Sequence, residues 1–136
     1  MNKGTQKRYD LTEVKGLAEF MMDRAARRVQ VTIQKNNDYA DPDGHAEDDF
    51  KVFRNFMMAE TMGICSAETG LLVRLSDKFM RAVNLMREGH VQAVADEALE
   101  DTLLDLQNYV DLLAGLMYLK KSQNDKMGED DERNQH

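Results

Sequence analysis

The sequence predicts an all-α protein, a helical bundle of about four helices, and three observations support this prediction. Helix breakers are rare, because the 136 residues include one Pro and eight Gly. Apolar residues recur at spacings of three and four along most of the chain, which is the period of an amphipathic helix. The chain is 42% hydrophobic, enough at this length to form a core without disulfides or structural zinc.

The first helix is predicted from Leu11 to about Gln34, after a flexible N-terminus of residues 1–10. Asp10 precedes the helix and Glu13 follows three residues later, the pattern of a reciprocal capping box. The next segment, KNNDYADPDGHAEDD, contains the only Pro of the chain together with a Gly and several Asp residues. This composition predicts an exposed loop, a kind of segment that often has a functional role.

Two further helices are predicted in the middle of the chain. The first runs from Phe50 to about Met62 and ends at Gly63. The second runs from Leu71 to Arg87 and has the clearest amphipathic pattern of the chain. Its apolar residues fall in one narrow sector, which we predict to be its buried face: Leu72, Leu75, Phe79, Ala82, Val83 and Met86.

The last helix is predicted from about Asp96 to about Lys120, and it is apolar on more than one side. Its predicted core stripe consists of Leu99, Leu103, Leu106, Val110, Leu113 and Met117. Leu104, Leu112 and Leu116 lie away from this stripe, and in so small a protein they predict a homo-oligomer built on this second surface. The polar tail, residues 122–136, is predicted to be disordered, which leaves one domain over residues 11–121.

Charge and composition exclude several functional classes. The net charge of −7 argues against a partner of duplex nucleic acid, which needs a concentrated basic face. No apolar stretch approaches the roughly 18 residues of a membrane span, and the N-terminus lacks the apolar region of a signal peptide. Cys65 is the single cysteine, so no internal disulfide is possible. We therefore expect a cytoplasmic protein.

The most informative polar feature is a row of carboxylates in the last predicted helix. Glu97, Asp101 and Asp105 are spaced four residues apart and share one helical face, with Asn108 beside them. Such a row repels itself, so a solvated face, a divalent metal such as Mg²⁺ or a basic partner must compensate for it. The basic partner available is the set Arg74, Lys78 and Arg81 on the preceding helix.

That preceding helix carries a second cluster. Arg74, Asp77 and Arg81 share one face and Lys78 lies at its flank. Two Arg side chains on one face could hold a phosphate, because the guanidinium fork matches phosphate oxygens. Asp77 could equally bridge the two Arg side chains within the helix, which would require no ligand.

Polar residues at the end of the first predicted helix form a third cluster. Lys35, Asn36, Asp38 and Tyr39 offer many hydrogen-bonding groups, although Asn and Asp are also ordinary residues at helix ends and in turns. Tyr39 could stack on a nucleobase or pack against the protein, and Tyr109, next to Asn108, has the same two interpretations.

Four motifs together resemble a known family. KNNDYAD, DDFKVFRNF, LLVRLSDKFMRAVNL and EDTLLDLQNYVDLL occur in this order over roughly residues 30–120. They resemble the phage-associated family called nucleotide modification associated domain, type one. That family is in turn distantly similar to the all-α nucleoside triphosphate pyrophosphatases of the MazG and dimeric dUTPase type. The resemblance implies a helical oligomer that holds Mg²⁺ on acidic residues of two helices and cleaves a nucleotide between its α- and β-phosphates.

The two acidic motifs of those pyrophosphatases match this sequence unequally. Glu97 and Asp101 resemble the second motif, with Asp105 one turn further on. At the first motif this chain has a basic cluster in which Asp77 is the one acidic residue, and Glu60 and Glu68 in neighbouring segments are additional candidates. This departure from the family pattern weakens the expectation of catalysis and leaves nucleotide binding intact.

The resemblance therefore implies two functions. A structural protein whose charged faces are merely solvated is a third alternative. The first is a Mg²⁺-dependent nucleotide pyrophosphohydrolase, with Asp77 and Asp101 catalytic and the metal held by Asp77, Glu97, Asp101 and Asp105. The alternative is a non-catalytic protein that sequesters a nucleotide or cyclic nucleotide, in an anti-defence role if the gene is from a phage, in which case the site of action is the host cytoplasm. The residues predicted to bind the nucleotide in either case are Lys35, Asn36, Asp38, Tyr39, Arg74, Lys78, Arg81, Asn108 and Tyr109.

Overall fold

A computed structural model describes residues 7–39, 49–87 and 92–135. Every regular element in these ranges is helical, which confirms the all-α prediction. The elements are α1 (Val14–Tyr39), a 3₁₀ helix (Lys51–Phe56), α2 (Met58–Thr61), α3 (Ala67–Arg87) and α4 (Gln92–Asn134). The chain divides into two compact units, Met1–Gly44 and His45–His136, where the sequence predicted one domain over residues 11–121.

Helix α1 begins at Val14, later than predicted, because Asp10 forms a turn instead of capping the helix. The Oδ1 atom of Asp10 accepts hydrogen bonds from the backbone N–H and the hydroxyl of Thr12, at 3.1 and 2.5 Å. These two bonds lower the pKa of the Asp10 carboxyl. The first bond of helical spacing runs from the N–H of Leu17 to the carbonyl of Glu13, at 3.1 Å.

Residues 7–10, predicted to be flexible, lie folded back against α1. The hydroxyl of Tyr9 and the ammonium of Lys7 both donate to Oδ2 of Asp23, at 2.5 and 2.8 Å. The ring of Tyr9 meets the ring of Phe20 edge-on, with centroids 5.3 Å apart. Gly16 permits this close approach, because a Cβ atom there would lie 1.8 Å from the carbonyl oxygen of Asp10.

Replacing Gly16 with Ala is expected to detach residues 7–10 from α1. The new methyl group would overlap a backbone oxygen, which cannot yield as a flexible side chain can. We therefore expect trypsin to cleave after Lys7 and Arg8 several-fold faster in this variant than in the wild type. Mass spectrometry of the digest over time measures both rates. Gly128→Ala is the matched control, since a Cβ there meets nothing within 4 Å. Equal cleavage rates in both variants would contradict the proposed role of Gly16.

The C-terminal end of α1 also differs from the prediction. The helix continues beyond Gln34 to Tyr39, so Lys35, Asn36 and Asp38 are helical and not part of a loop. In the sequence the first residue after Gln34 that cannot continue a helix is Pro42, and Asn and Asp lower helix propensity only moderately. The rest of the predicted loop, residues 40–48, lies outside the described residues.

In the second unit, the helix predicted from Phe50 to Met62 is divided into the 3₁₀ helix and the single turn of α2. Phe50, Phe53 and Phe56 explain the 3₁₀ geometry, since they are spaced three residues apart and a 3₁₀ helix has three residues per turn. All three rings therefore point the same way. Phe53 is buried in the core, and Phe50 and Phe56 pack against it.

A short connection leads from α2 to α3. Gly63 ends α2 as predicted, with a φ of 75° that favours glycine. Helix α3 begins at Ala67, earlier than the predicted Leu71. Ser66 caps it, because its hydroxyl accepts a hydrogen bond of 3.1 Å from the backbone N–H of Thr69.

Helices α3 and α4 form an antiparallel hairpin, which is the largest contact between elements of the second unit. Its core contains Leu71 of α3 and Leu116 of α4, which are 1% and 0% exposed, together with Ala67 and Phe53. The predicted buried sector of α3 is wrong for three of its six members. Leu72, Phe79 and Met86 are exposed, whereas Leu75 and Val83 are half-buried and Ala82 is buried.

The core of the second unit takes residues from both apolar surfaces predicted for α4. Leu116, assigned to the oligomer surface, is fully buried, and Leu112 packs against the same core. Of the predicted core stripe, Leu113 also packs against this core, whereas Leu103, Val110 and Met117 are exposed. The reason is the 3₁₀ helix, since Phe53 lies on the Leu116 side of α4 and approaches Gly115 so closely that a Cβ there would be 3.3 Å from its ring.

Helix α4 extends well beyond the predicted end near Lys120. It continues to Asn134, so residues 122–134, predicted to be disordered, are helical in the structure. No Pro interrupts this segment, and a side-chain hydrogen bond of 2.9 Å from Gln123 to Asp49 ties it to the start of the second unit. The side chains of residues 124–135 are exposed. Among the described residues, no helix has the length and hydropathy needed to cross a membrane.

Candidate functional site

The basic and acidic residues of α3 and α4 that are predicted to be functional lie on one side of the α3–α4 hairpin. The Nζ atom of Lys78 lies 2.9 Å from Oδ2 of Asp105, which fixes the register of the two helices. Helical periodicity then places Arg81 at the level of Asp101, and Arg74 at the level of Asn108 and Tyr109. We call this surface the charged side; its other members are Asp77 and Glu97.

The Lys78–Asp105 ion pair shows which basic residue accompanies the acidic row at this position. A solvated face, a metal or the basic set of α3 could compensate for the carboxylates, and in the structure Asp105 is paired with Lys78. Both side chains are partly buried by the helix contact, which strengthens their attraction relative to an exposed pair. A metal at Asp105 would have to displace this ammonium group.

Arg74 and Tyr109 both contact Phe56 of the 3₁₀ helix. The guanidinium of Arg74 lies over the Phe56 ring, 5.2 Å from its centroid. The ring of Tyr109 meets that of Phe56 edge-on at 6.2 Å, so Tyr109 packs within the protein. A guanidinium in such a cation–π contact can still donate hydrogen bonds to other partners.

A cavity of about 260 Å³ lies beside this contact, between the 3₁₀ helix, α2 and the first turns of α3. Its wall is mainly apolar and comes from Phe56, Met58, Met62 and Ile64. Two polar side chains, those of Asn55 and Arg74, also line it, together with Ala59 and Gly70. Small-molecule sites commonly have this combination of an apolar wall and a few polar groups.

The remaining predicted metal ligands are not gathered at one point. Asp77, Glu97 and Asp101 are exposed. Within residues 7–39, 49–87 and 92–135, no group of three or more His, Cys, Asp or Glu side chains is close enough to hold a metal ion. Of the four predicted ligands, Asp105 is the one with a described basic partner.

Glu60 and Glu68 form a separate cluster with Lys120. The ammonium of Lys120 donates to Oε1 of Glu60 at 2.5 Å and lies 2.6 Å from Oε1 of Glu68. The second contact is an ion pair at hydrogen-bonding distance, so one ammonium group serves both carboxylates. The backbone N–H of Ala67 also donates to Glu60, at 3.3 Å. The cluster thus joins α2, the start of α3 and α4.

The position of this cluster excludes Glu60 and Glu68 from a metal site shared with Asp101. Lys120 lies nineteen residues beyond Asp101 on α4, which at 1.5 Å per residue is about 28 Å along the helix axis. The expectation that the two glutamates complete the first acidic motif is therefore wrong. Lys120 lowers the pKa of Glu60, and the hydrogen bond to Glu60, with the second contact to Glu68, raises the pKa of Lys120 against the opposing effect of its burial.

Sequence reasoning missed the cavity and the glutamate–lysine cluster. Phe56 and Arg74 are distant in sequence, and so are Glu60 and Lys120, so no local spacing indicates either contact. The side chains of Lys35, Asn36, Asp38 and Tyr39, at the end of α1, lie outside the described part of the structure. Their predicted contact with a nucleotide stays a prediction.

Comparison with known proteins identifies no relative of the chain. No protein-family model matches the chain, and no curated protein and no solved structure is significantly similar to it. The resemblance to the nucleotide modification associated family accordingly stays a prediction from the four sequence motifs.

Proposed function

We propose that the protein binds a nucleotide and holds it without hydrolysis. The observation that supports this proposal is the position of Arg74, whose side chain belongs both to the charged side and to the wall of the apolar cavity. The two parts of a nucleotide match these two surfaces, since the base is flat and largely apolar and the phosphate is anionic. The base would enter the cavity beside Phe56, and the phosphates would lie along Arg74 and Arg81.

The contact with Phe56 makes Arg74 the principal phosphate ligand of this proposal. This contact restricts the Arg74 side chain before ligand binds, so less conformational entropy is lost on binding. Arg81 lies two helical turns further along α3 on the same side and extends the positive surface. Lys78, between them, is engaged by Asp105 and contributes mainly to the local positive potential.

Binding without hydrolysis is favoured by the Lys78–Asp105 pair. Hydrolysis of a phosphoanhydride by this class of mechanism needs several carboxylates around divalent metal. Here the carboxylate closest to the basic set is neutralised by an ammonium group, and the neighbouring acids are exposed. Sequestration of a nucleotide or cyclic nucleotide requires that the ligand is bound and not cleaved.

Arg74→Ala is expected to weaken nucleotide binding by about 10- to 100-fold, the range for losing a charge-assisted hydrogen bond. The measurement is a thermal-shift and calorimetric titration with individual nucleoside mono-, di- and triphosphates and cyclic nucleotides, in Mg²⁺ and in EDTA. Arg87→Ala is the matched control, since Arg87 is an exposed arginine in the last turn of the same helix. Binding that is lost equally in both variants would contradict a specific site at Arg74.

A second candidate is the Mg²⁺-dependent phosphohydrolase. The observation that favours it is that Glu97 and Asp101 are both exposed one turn apart on α4, facing solvent on the charged side. In that function Asp77 and Asp101 would take part in catalysis, with Glu97 and Asp105 as further ligands. Chromatography of the incubated nucleotides separates the candidates: new monophosphate and pyrophosphate that require Mg²⁺ and disappear in Asp101→Asn would establish hydrolysis.

A further inference from the structure

One wall of the apolar cavity belongs to a short segment whose apolar side chains are mostly exposed. We call this segment, residues 58–64, the α2 wall; it consists of the single turn of α2 and the first part of the connection to α3. Met58, Met62 and Ile64 line the cavity and are 64%, 65% and 70% exposed. A single helical turn is not stable alone, because helix formation has a costly nucleus. Contacts with the rest of the second unit must therefore hold the α2 wall in place.

Glu60 attaches the back of this wall to two other helices. It is two residues from both Met58 and Met62, and a rotation of about 100° per residue places it on the opposite face of the turn. Its Oε1 atom accepts hydrogen bonds from the ammonium of Lys120 on α4, at 2.5 Å, and from the backbone N–H of Ala67, at 3.3 Å. The carboxylate therefore joins the α2 wall to α4 and to the first turn of α3.

Lys120 also removes a repulsion at this point. Its ammonium nitrogen lies within 2.6 Å of both Glu60 and Glu68, so the two carboxylates are close neighbours. The side chains of Lys120, Glu60 and Glu68 are 27%, 33% and 30% exposed, and this partial burial reduces the screening of their charges by water. Without the ammonium, the carboxylate of the α2 wall would be repelled by that of α3.

We infer that Lys120 is a positioning residue for the cavity, whose ammonium group holds the α2 wall in the position that binds ligand. The opposite wall is held by other contacts, because Phe56 packs against the core and Arg74 of α3 lies over its ring. Loss of the ammonium should leave Arg74 in place but displace the α2 wall from the apolar part of the ligand. The identity of this ligand as a nucleotide rests on the proposed function, whereas the attachment of the wall by Lys120 does not.

Cys65 is a natural reporter of the position of the α2 wall. It is the single cysteine of the chain and is partly buried. The carbonyl of Ala59 accepts hydrogen bonds from the N–H groups of Ile64 and Cys65, at 2.9 and 3.4 Å, so the wall and this cysteine move together. A displaced wall should expose the thiol, and the alkylation rate of Cys65 then measures the population of the open form.

The first test compares the alkylation rate of Cys65 in the full chain and its variants. We expect a rate about 10-fold higher in Lys120→Met than in the wild type, because a charge-assisted contact is lost. Lys120→Arg should react like the wild type, since a guanidinium can still pair with both carboxylates. Lys121→Met is the matched control, which removes an exposed lysine at the next position of α4. Equal rates in Lys120→Met and Lys121→Met would overturn the inference.

Urea distinguishes a displaced wall from general destabilisation. Opening of a short segment exposes little surface, so the rate in Lys120→Met should hardly depend on urea below the unfolding transition. Ala82→Gly is the control, because it removes a buried methyl group and lowers helix propensity within α3. Any increase of its rate should occur through global unfolding and rise steeply with urea. The same steep dependence in Lys120→Met would assign the effect to stability alone and overturn the inference.

The second test measures the affinity for the nucleotide that the Arg74→Ala titration identifies, in EDTA. Lys120→Met should bind it about threefold more weakly, because only chains with the wall in place are competent to bind. Lys120→Arg and Lys121→Met should bind it like the wild type. Unchanged affinity in Lys120→Met would overturn the inference. If the wild type binds none of the nucleotides, the proposed function fails, and the alkylation rates alone decide whether Lys120 holds the wall.

Discussion

Replacing Leu116 with Ala is expected to lower the free energy of unfolding by about 3 kcal/mol, in the middle of the range for a large apolar side chain removed from a core. Leu116 is 0% exposed and packs with Phe53, Ala67 and Leu71. The cost has two parts, the lost transfer of the leucine side chain from water and the cavity that remains. Neighbouring helices cannot close this cavity without moving the 3₁₀ helix, so the second part should be large.

The measurement is urea unfolding followed by circular dichroism at a fixed protein concentration. Tyr118→Ala is the control, because Tyr118 is a larger side chain on the same helix that is mostly exposed. Its effect should stay within about 0.5 kcal/mol, as is usual for surface substitutions. Similar losses for the two variants would mean that Leu116 does not lie in the core described here.

The contrast between Leu116 and its neighbours shows what helical periodicity can predict. The period correctly identified α4 as a helix with two apolar surfaces, because spacing determines which residues share a face. It could not determine which surface the chain itself covers. That depends on Phe53, which reaches the Leu116 side only because the segment 51–56 forms a 3₁₀ helix.

Helix α3 shows the same limit of helical periodicity, because residues predicted to be buried are exposed. Half of its most regular apolar sector is exposed, namely Leu72, Phe79 and Met86, whereas its contact with α4 includes Lys78. A lysine on a contact face does not register as apolar in a periodicity analysis, although its methylene groups can cover apolar surface. The buried face of α3 therefore coincides with the predicted sector only in part, at residues such as Ala82.

The candidate site was predictable to the extent that it is built from local spacing. The four-residue spacing of Glu97, Asp101 and Asp105 placed them on one face, and the basic set of α3 was named as their partner, as Lys78 proves to be for Asp105. The start of α3 was also within reach, because Ser66 followed by Glu68 in the first turn is a recognisable capping signal. Contacts between distant segments, such as Arg74 with Phe56, leave no such signal.

The glutamate–lysine cluster is the strongest of these distant contacts. Lys120→Met is expected to lower the free energy of unfolding by about 2 kcal/mol at neutral pH, because it leaves two carboxylates close together in a partly buried position. Glu68 and Glu60 each lie within 2.6 Å of the ammonium group that would be lost. The methionine retains most of the apolar stem, so the loss reports on charge more than on packing.

The pH dependence distinguishes this charge effect from a packing defect. Lys120 lowers the pKa of Glu60 below its ordinary value of 4.5, so the stabilisation from this carboxyl is complete above that value and is lost as the pH falls through the lowered pKa. The raised pKa of Lys120 has the opposite sign: its contribution is complete below 10.5 and is lost at higher pH. The difference between wild type and Lys120→Met should thus be constant from about pH 6 to 9 and shrink in acid.

Glu60→Gln and the double variant Glu60→Gln Lys120→Met complete the test as a thermodynamic cycle. If the pair is the source of the loss, Lys120→Met should cost less in the Glu60→Gln background, because one of the two uncompensated carboxylates is already neutral. Glu68 would still require Lys120, so the remaining cost should not fall to zero. An unchanged cost in that background, or a cost that persists undiminished in acid, would assign the effect of Lys120 to packing and remove the ion pair as the connection between α2 and α4.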